Sequence, residues 1–110
     1  MLTPVQMVPT GYLGAALATL YTVPPNATKA ELREIRLCNT DTLPRTVTLH
    51  MVPAGGVAGG SNKALSALPL AAGETKTLPF VTVMLPGDSI QASADAGSLV
   101  TIQVSGLVWT

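Results

Sequence analysis

Residues 45–52, RTVTLHMV, alternate cleanly. Val47, Leu49 and Met51 fall on one face and Thr46, Thr48 and His50 on the other, the period of a half-buried strand. The same apolar, β-branched composition recurs in short pieces along the chain. Leu20 to Val23 forms one and Pro24-Pro25-Asn26 ends it. Residues 28–39, TKAELREIRLCN, carry helix formers, yet Ala30 and Leu32 share one strand face and Ile35 and Leu37 share another. The phase slips once between Leu32 and Ile35, as a β-bulge would make it slip, so this stretch is predicted as a bulged strand. Leu65, Leu68 and Leu70 mark another strand, and Ala72-Gly73-Glu74 turns the chain into a return strand from Glu74 to Phe80. Val81 to Leu85 extends that strand or crosses away from it. Pro86-Gly87-Asp88 is a turn. SIQASA at 89–94 and LVTIQV at 99–104 flank Asp95-Ala96-Gly97 and predict a hairpin. Gly106 permits a bend or bulge before Leu107-Val108-Trp109.

Seven to eight short strands spaced by about 8 to 12 residues predict an all-β chain folded as a single β-sandwich, jelly-roll-like or immunoglobulin-like. No room is left for the helices of a βαβ fold. Residues 1–14, MLTPVQMVPTGYLG, show no clean period and are expected to form an extended N-terminal arm on a sandwich spanning 15–110. The length of 110 residues fits one domain. Apolar residues make up 47% and charged residues only 11%, which excludes disorder. So few charges also favour a subunit that associates through apolar surface. Net charge is zero, so no basic field attracts nucleic acid. No apolar run of about 18 residues is present to span a membrane as a helix. Residues 1–28 carry no charged side chain, unlike the basic start of a signal peptide. Cys38 is the single cysteine, so no disulfide can form within the chain, and folding in a reducing cytoplasm is expected.

Chemistry is sparse. His50 is the only histidine and is expected on the outer, polar face of its strand. One His and one Cys make neither a zinc site nor a nucleophile-base pair. Turn and strand roles account for the six acidic residues without a facing carboxylate pair. The run Gly55-Gly56-Val57-Ala58-Gly59-Gly60-Ser61-Asn62-Lys63 lacks the Lys directly after the last Gly that a phosphate loop needs, and is expected to be a mobile hairpin tip. No catalytic residue, metal site or cofactor is expected. Lys29, Glu31, Arg33, Glu34 and Arg36 hold five of the twelve charges. They read equally as a solvated strand edge or as a polar contact patch.

The ordered set LYTVPPNATKAELREIRLCNTD at 20–41, RTVTLHMVPAGG at 45–56, LAAGET at 70–75 and LPGDSIQASADAGSLVTIQVSG at 85–106 resembles small virion proteins of tailed bacteriophages and prophages. The resemblance covers about four fifths of the chain and carries no catalytic motif. It implies a β-sandwich structural protein, made in the bacterial host cytoplasm and placed on the virion. Head decoration is expected ahead of a tail or fibre position. The alternative is a tail- or fibre-associated module that binds a host-surface carbohydrate, with a site built on loops 53–63 and 38–45. Expected partners are further copies of the chain, as a trimer, and major capsid or tail proteins. The residues expected to carry assembly are Met1, Leu2, Val5, Met7, Val8, Tyr12 and Leu13 of the arm, with Lys29, Glu31, Arg33 and Arg36. Deleting the arm from Met1 to Leu13 is expected to abolish assembly and spare the fold.

Overall fold

The computed structural model describes residues 1–79 and 81–110. Among them are nine strands: β1 (Leu2–Tyr12), β2 (Ala18–Thr22), β3 (Lys29–Asn39), β4 (Arg45–Val52), β5 (Lys63–Leu70), β6 (Thr75–Leu78), β7 (Thr82–Met84), β8 (Ser89–Ala94) and β9 (Val100–Trp109). A single 3₁₀ turn, Gly60–Asn62, precedes β5. The strands form two antiparallel sheets. The first runs β1-β9-β3-β6, with β7 also on β3; the second runs β2-β8-β4-β5. β6 lies along Ile35–Cys38 and β7 along Ala30–Leu32, so the two act as one interrupted strand on the same side of β3.

Counted that way there are eight strands. Every connection except β4–β5 and the β6–β7 break crosses from one sheet to the other. This is the order of a jelly roll, not of an immunoglobulin sandwich, whose sheets contain hairpin-linked neighbours. It corrects the expected hairpin: β8 pairs with β2 and β4, whereas β9 pairs with β1 and β3 in the opposite sheet. Alternation says which side chains of β8 and β9 point inward. It does not say which strands they pair with. The connecting loop is pulled apart at its ends, with Asp95 N–H bonded to the Thr46 carbonyl and Ser98 N–H to the Leu13 carbonyl.

Inward-facing side chains of both sheets fill the core: Leu32, Ile35, Leu37, Val47, Leu49, Leu70, Ile90, Val100 and Val104 are fully buried. The expected bulge in β3 lies between Leu32 and Glu34. A second bulge, between Gln6 and Val8 of β1, lies at the same level on the other side of β9. Gly106 of β9 sits where these strands crowd together. A Cβ there would run into the Glu31 carbonyl oxygen and come within 2.7 Å of Met7 Cε. The Glu31 oxygen is fixed backbone and cannot give way.

Residues 1–14, expected as an arm, supply β1, an edge strand on this chain's own β9. Met7, Val8 and Leu13 are buried in the core. The two prolines do not interrupt the ladder. Met1 and Thr110 exchange backbone hydrogen bonds in both directions, so alternation along the antiparallel pair turns the nitrogen of Pro4 toward the free edge. Pro9 falls in the irregular stretch between Val8 and Gly11.

Gly106→Ala is expected to destabilise the fold by about 2–3 kcal/mol, because the methyl group must displace β3 backbone. Urea unfolding checks this. A midpoint within experimental error of the wild type would contradict the packing described.

Candidate functional site

The crossing connections gather the loops into two groups. At one end lie β1–β2, β3–β4, β5–β6 and β8–β9. At the other lie β2–β3, β4–β5 and β7–β8, together with both termini. Polar side chains close both ends. At the first, the buried Asn39 shares its two amide N–H groups among the carbonyls of Leu43, Leu70 and Ala71, while its Oδ1 accepts from Asp41 N–H. Asp41 accepts from Thr42 N–H at 2.7 Å and from Arg45 at 2.9 Å and 2.7 Å. These contacts, the Arg45 hydrogen bond first and the Thr42 N–H second, hold the Asp41 carboxyl below its ordinary pKa. At the other end Asp88 accepts from Ala54 N–H and Leu85 N–H, tying β4–β5 to β7–β8.

The six carboxylates are all engaged in such contacts. Glu31 pairs with Arg33, Glu34 with Arg36, Asp41 and Asp95 with Arg45, and Glu74 accepts from Ala71 N–H. No group of three or more His, Cys, Asp or Glu side chains gathers among the described residues. Asn39 was not singled out by sequence reasoning. The signal available was its place in the Asn39-Thr40-Asp41 turn at the end of an apolar strand.

His50 departs from expectation. It is 6% exposed, not on an open outer face. The glycine-rich β4–β5 loop folds back over it, and its Nδ1–H donates to Asn62 Oδ1 at 2.8 Å. The same oxygen accepts from Gly59 N–H, and Asn62 Nδ2 donates to the Val57 carbonyl, so the expected mobile tip is tied down by one side chain. Beside it, a cleft of about 640 Å³ opens between the loop and β7, lined by Met51, Pro53, Asn62, Lys63, Val83 and Asp88 among others. Loops 53–63 and 38–45 lie at opposite ends of β4 and do not converge on one site. Trp109 is half-buried, with Lys29 Nζ 4.7 Å from its ring centroid.

The expected assembly residues fall into three groups. Met7, Val8 and Leu13 are buried in this chain's own core, with Val5 packed against it. Tyr12 is exposed at the loop end of β1, and Arg36 lies in the polar middle of the sheet's outer face beside Gln103 and Thr77. Met1, Leu2, Lys29, Glu31 and Arg33 are brought toward the end that carries the termini. There the register aligns two outward-facing rows across the first sheet. One is Leu2, Trp109 and Lys29; the other is Pro4, Leu107, Glu31 and Val83. The row between them, Thr3, Val108, Ala30 and Met84, points to the core side. Leu85 follows two residues after Val83, and these two are 59% and 60% exposed. The result is an apolar outer face carrying Lys29 and Glu31, with Arg33, paired to Glu31, at its margin. Sequence reasoning found Leu2, Lys29 and Glu31 but not Pro4, Val83, Leu85, Leu107 or Trp109 as their neighbours, because only cross-strand register joins them.

No protein-family model matches the chain, and no curated protein matches it in sequence. Solved structures do match in fold. A chain from Bacillus endospore appendages, described as disulfide-linked pili, superposes with a TM-score of 0.59 at 12% identity, covering 99% of this chain and 88% of that one. A chain from infectious bursal disease virus, Gx strain, superposes with a TM-score of 0.58 at 14% identity, covering 98% of this chain and 32% of that one. The protein is thus a jelly-roll sandwich of the kind found in chains of a viral particle and of a spore pilus.

Deleting Met1–Leu13 removes three core side chains and uncovers β9, so the fold is not expected to survive. A loss of at least about 5 kcal/mol is predicted, comparable with a whole domain's stability. Thermal denaturation followed by circular dichroism should show no cooperative transition; a melt like that of the full chain would contradict the placement of β1. Asp41 gives a pH signature. Its folded pKa lies below the unfolded value, so its stabilisation is present above that value, about pH 4, and is lost as pH falls through the folded one. Asp41→Asn should be less stable than wild type at pH 7, and the two curves should converge as the pH falls below the unfolded value and through the folded one. Parallel curves over that range would exclude the linkage.

Proposed function

We propose that the chain is a non-enzymatic structural subunit of a tailed-phage virion, seated on the head as a decoration protein and associating with further copies and with the major capsid protein. The observation that carries this is the apolar outer face formed by Leu2, Pro4, Trp109, Leu107, Val83 and Leu85, on a domain whose carboxylates are all paired or hydrogen-bonded within the chain. A surface of that kind stays in water at a cost unless a partner covers it. The ordered sequence pattern from Leu20 to Gly106 supports a virion setting. The fold shared with chains of a viral particle and a pilus is in keeping with an assembling subunit. On a lattice, contacts that are individually weak add through avidity.

The test uses particles produced without this chain. Purified protein added to them is expected to co-sediment, saturate at a fixed number per particle and raise the temperature at which the heads release their DNA. Absence of saturable binding would overturn the proposal. Binding confined to tails would overturn the head position and shift the assignment to a tail component.

A further inference from the structure

The geometry points to the outer face at the terminal end as a two-fold contact with a second copy of this chain, resting on the reading of the protein as an assembling subunit and adding the face and the partner. The two outward rows have a specific relation. On β1 they hold Leu2 and Pro4, on β9 Trp109 and Leu107, and beyond β3 Leu85 and Val83. Both members of each of these pairs are apolar. On β3 the members are Lys29 and Glu31, of opposite charge. A two-fold axis lying in the interface, perpendicular to the strands and midway between the rows, exchanges the rows. It sets Leu2 against the partner's Pro4, Trp109 against the partner's Leu107, and Leu85 against the partner's Val83. It also sets Lys29 against the partner's Glu31, twice over. An isologous interface needs this self-complementarity. Within these two rows no column meets a like charge or strands a charge against an apolar side chain; Arg33, paired with Glu31, lies beyond them.

The side chains are available for such a contact. Lys29 is exposed and makes no ion pair among the described residues; it lies over the Trp109 ring, a position from which its ammonium can reach outward. Glu31, its side chain 19% exposed, pairs with Arg33 through Oε1 and has no second ion-pair partner among the described residues. Neither residue is needed to close a loop. The trimer expected from sequence has no such support: a three-fold axis does not bring Lys29 and Glu31 together reciprocally across one face.

Four strands about 4.8 Å apart make the face roughly 19 Å wide. Two rows of it, with the adjoining turns, cover less than the ~800 Å² per partner of a standard stable interface. The pair is therefore weak in isolation and is felt at high protein concentration or when copies are held together on a particle. Its attraction falls with added salt.

Sedimentation equilibrium of the full chain over a concentration series tests this, with circular dichroism as the check on folding. Wild type is expected to show a monomer–dimer equilibrium. Lys29→Glu and Glu31→Lys each place like charges face to face and are expected to weaken dimerisation at least tenfold. The double variant Lys29→Glu/Glu31→Lys restores the opposition across the axis and is expected to recover dimerisation to near the wild-type level. Leu85→Asp, on an exposed turn residue, is expected to weaken it without altering the melt. A wild-type chain that stays monomeric at the highest reachable concentration overturns the proposal. So does an association untouched by the single reversals, or a double variant no better than the singles. Saturable binding of a strictly monomeric chain to particles would leave the structural role standing and remove only this face.

Discussion

The architecture depends on how closely β1 and β3 approach β9. β9 is an inner strand of its sheet and the longest uninterrupted alternation in the chain, buried at every second residue from Val100 to Val108. At Gly106 the backbone of β3 and the side chain of Met7 fill the space a Cβ would take. The bulges of β1 and β3 lie on either side of this crowded level, one at Met7 and one at Arg33. Each bulge shifts the alternation of its strand by one residue. Both strands shift at nearly the same height along β9, β1 shifts again between Val8 and Gly11, and directly paired residues share a face throughout. Inward residues line up with inward residues at both ends of the sheet. The outward rows that form the apolar face are the other half of the same registration.

That constraint explains which parts of the fold were legible in the sequence. The slip between Leu32 and Ile35 announced the bulge in β3 because it leaves a local trace, whereas Gly106, expected to permit a bend or bulge, instead marks the close approach of β3. The alternation of 45–52 and the Pro86-Gly87-Asp88 turn were equally plain. β1 was not legible as a strand. Its two prolines and missing period mask a strand whose bulge breaks the alternation at Met7 and whose Pro4 sits harmlessly at a free edge. The false hairpin between β8 and β9 has the same root. Inward faces are written in the period, whereas partners are decided by which sheet each strand joins, and in a jelly roll almost every connection changes sheet. The Val81–Leu85 segment proved a short strand beside β3, while the end of its predecessor at Phe80 lies outside the described residues.

The candidate site divides along the same line. The charged set from Lys29 to Arg36 was visible as a cluster, but its meaning changes once register places Lys29 and Glu31 among apolar neighbours and leaves Arg36 in a polar zone. His50 was read from its strand alone, and a loop twelve residues further on covers it. The acidic residues of the turns, Asp41, Glu74, Asp88 and Asp95, by contrast do what their positions suggested. With Asn39 and Asp88 each joining two loops, the polar side chains hold the ends of the sandwich shut. The surface left outside these contacts at the terminal end is largely apolar, the feature on which the proposed role rests.

The measurement that bears most directly on the virion role is immunogold electron microscopy of intact particles with antibody raised against this chain. Label spread evenly over the heads, in numbers that scale with the shell's area, is the expected result. Particles that carry no label, with the chain recovered only from the soluble fraction of lysed cells, would contradict it.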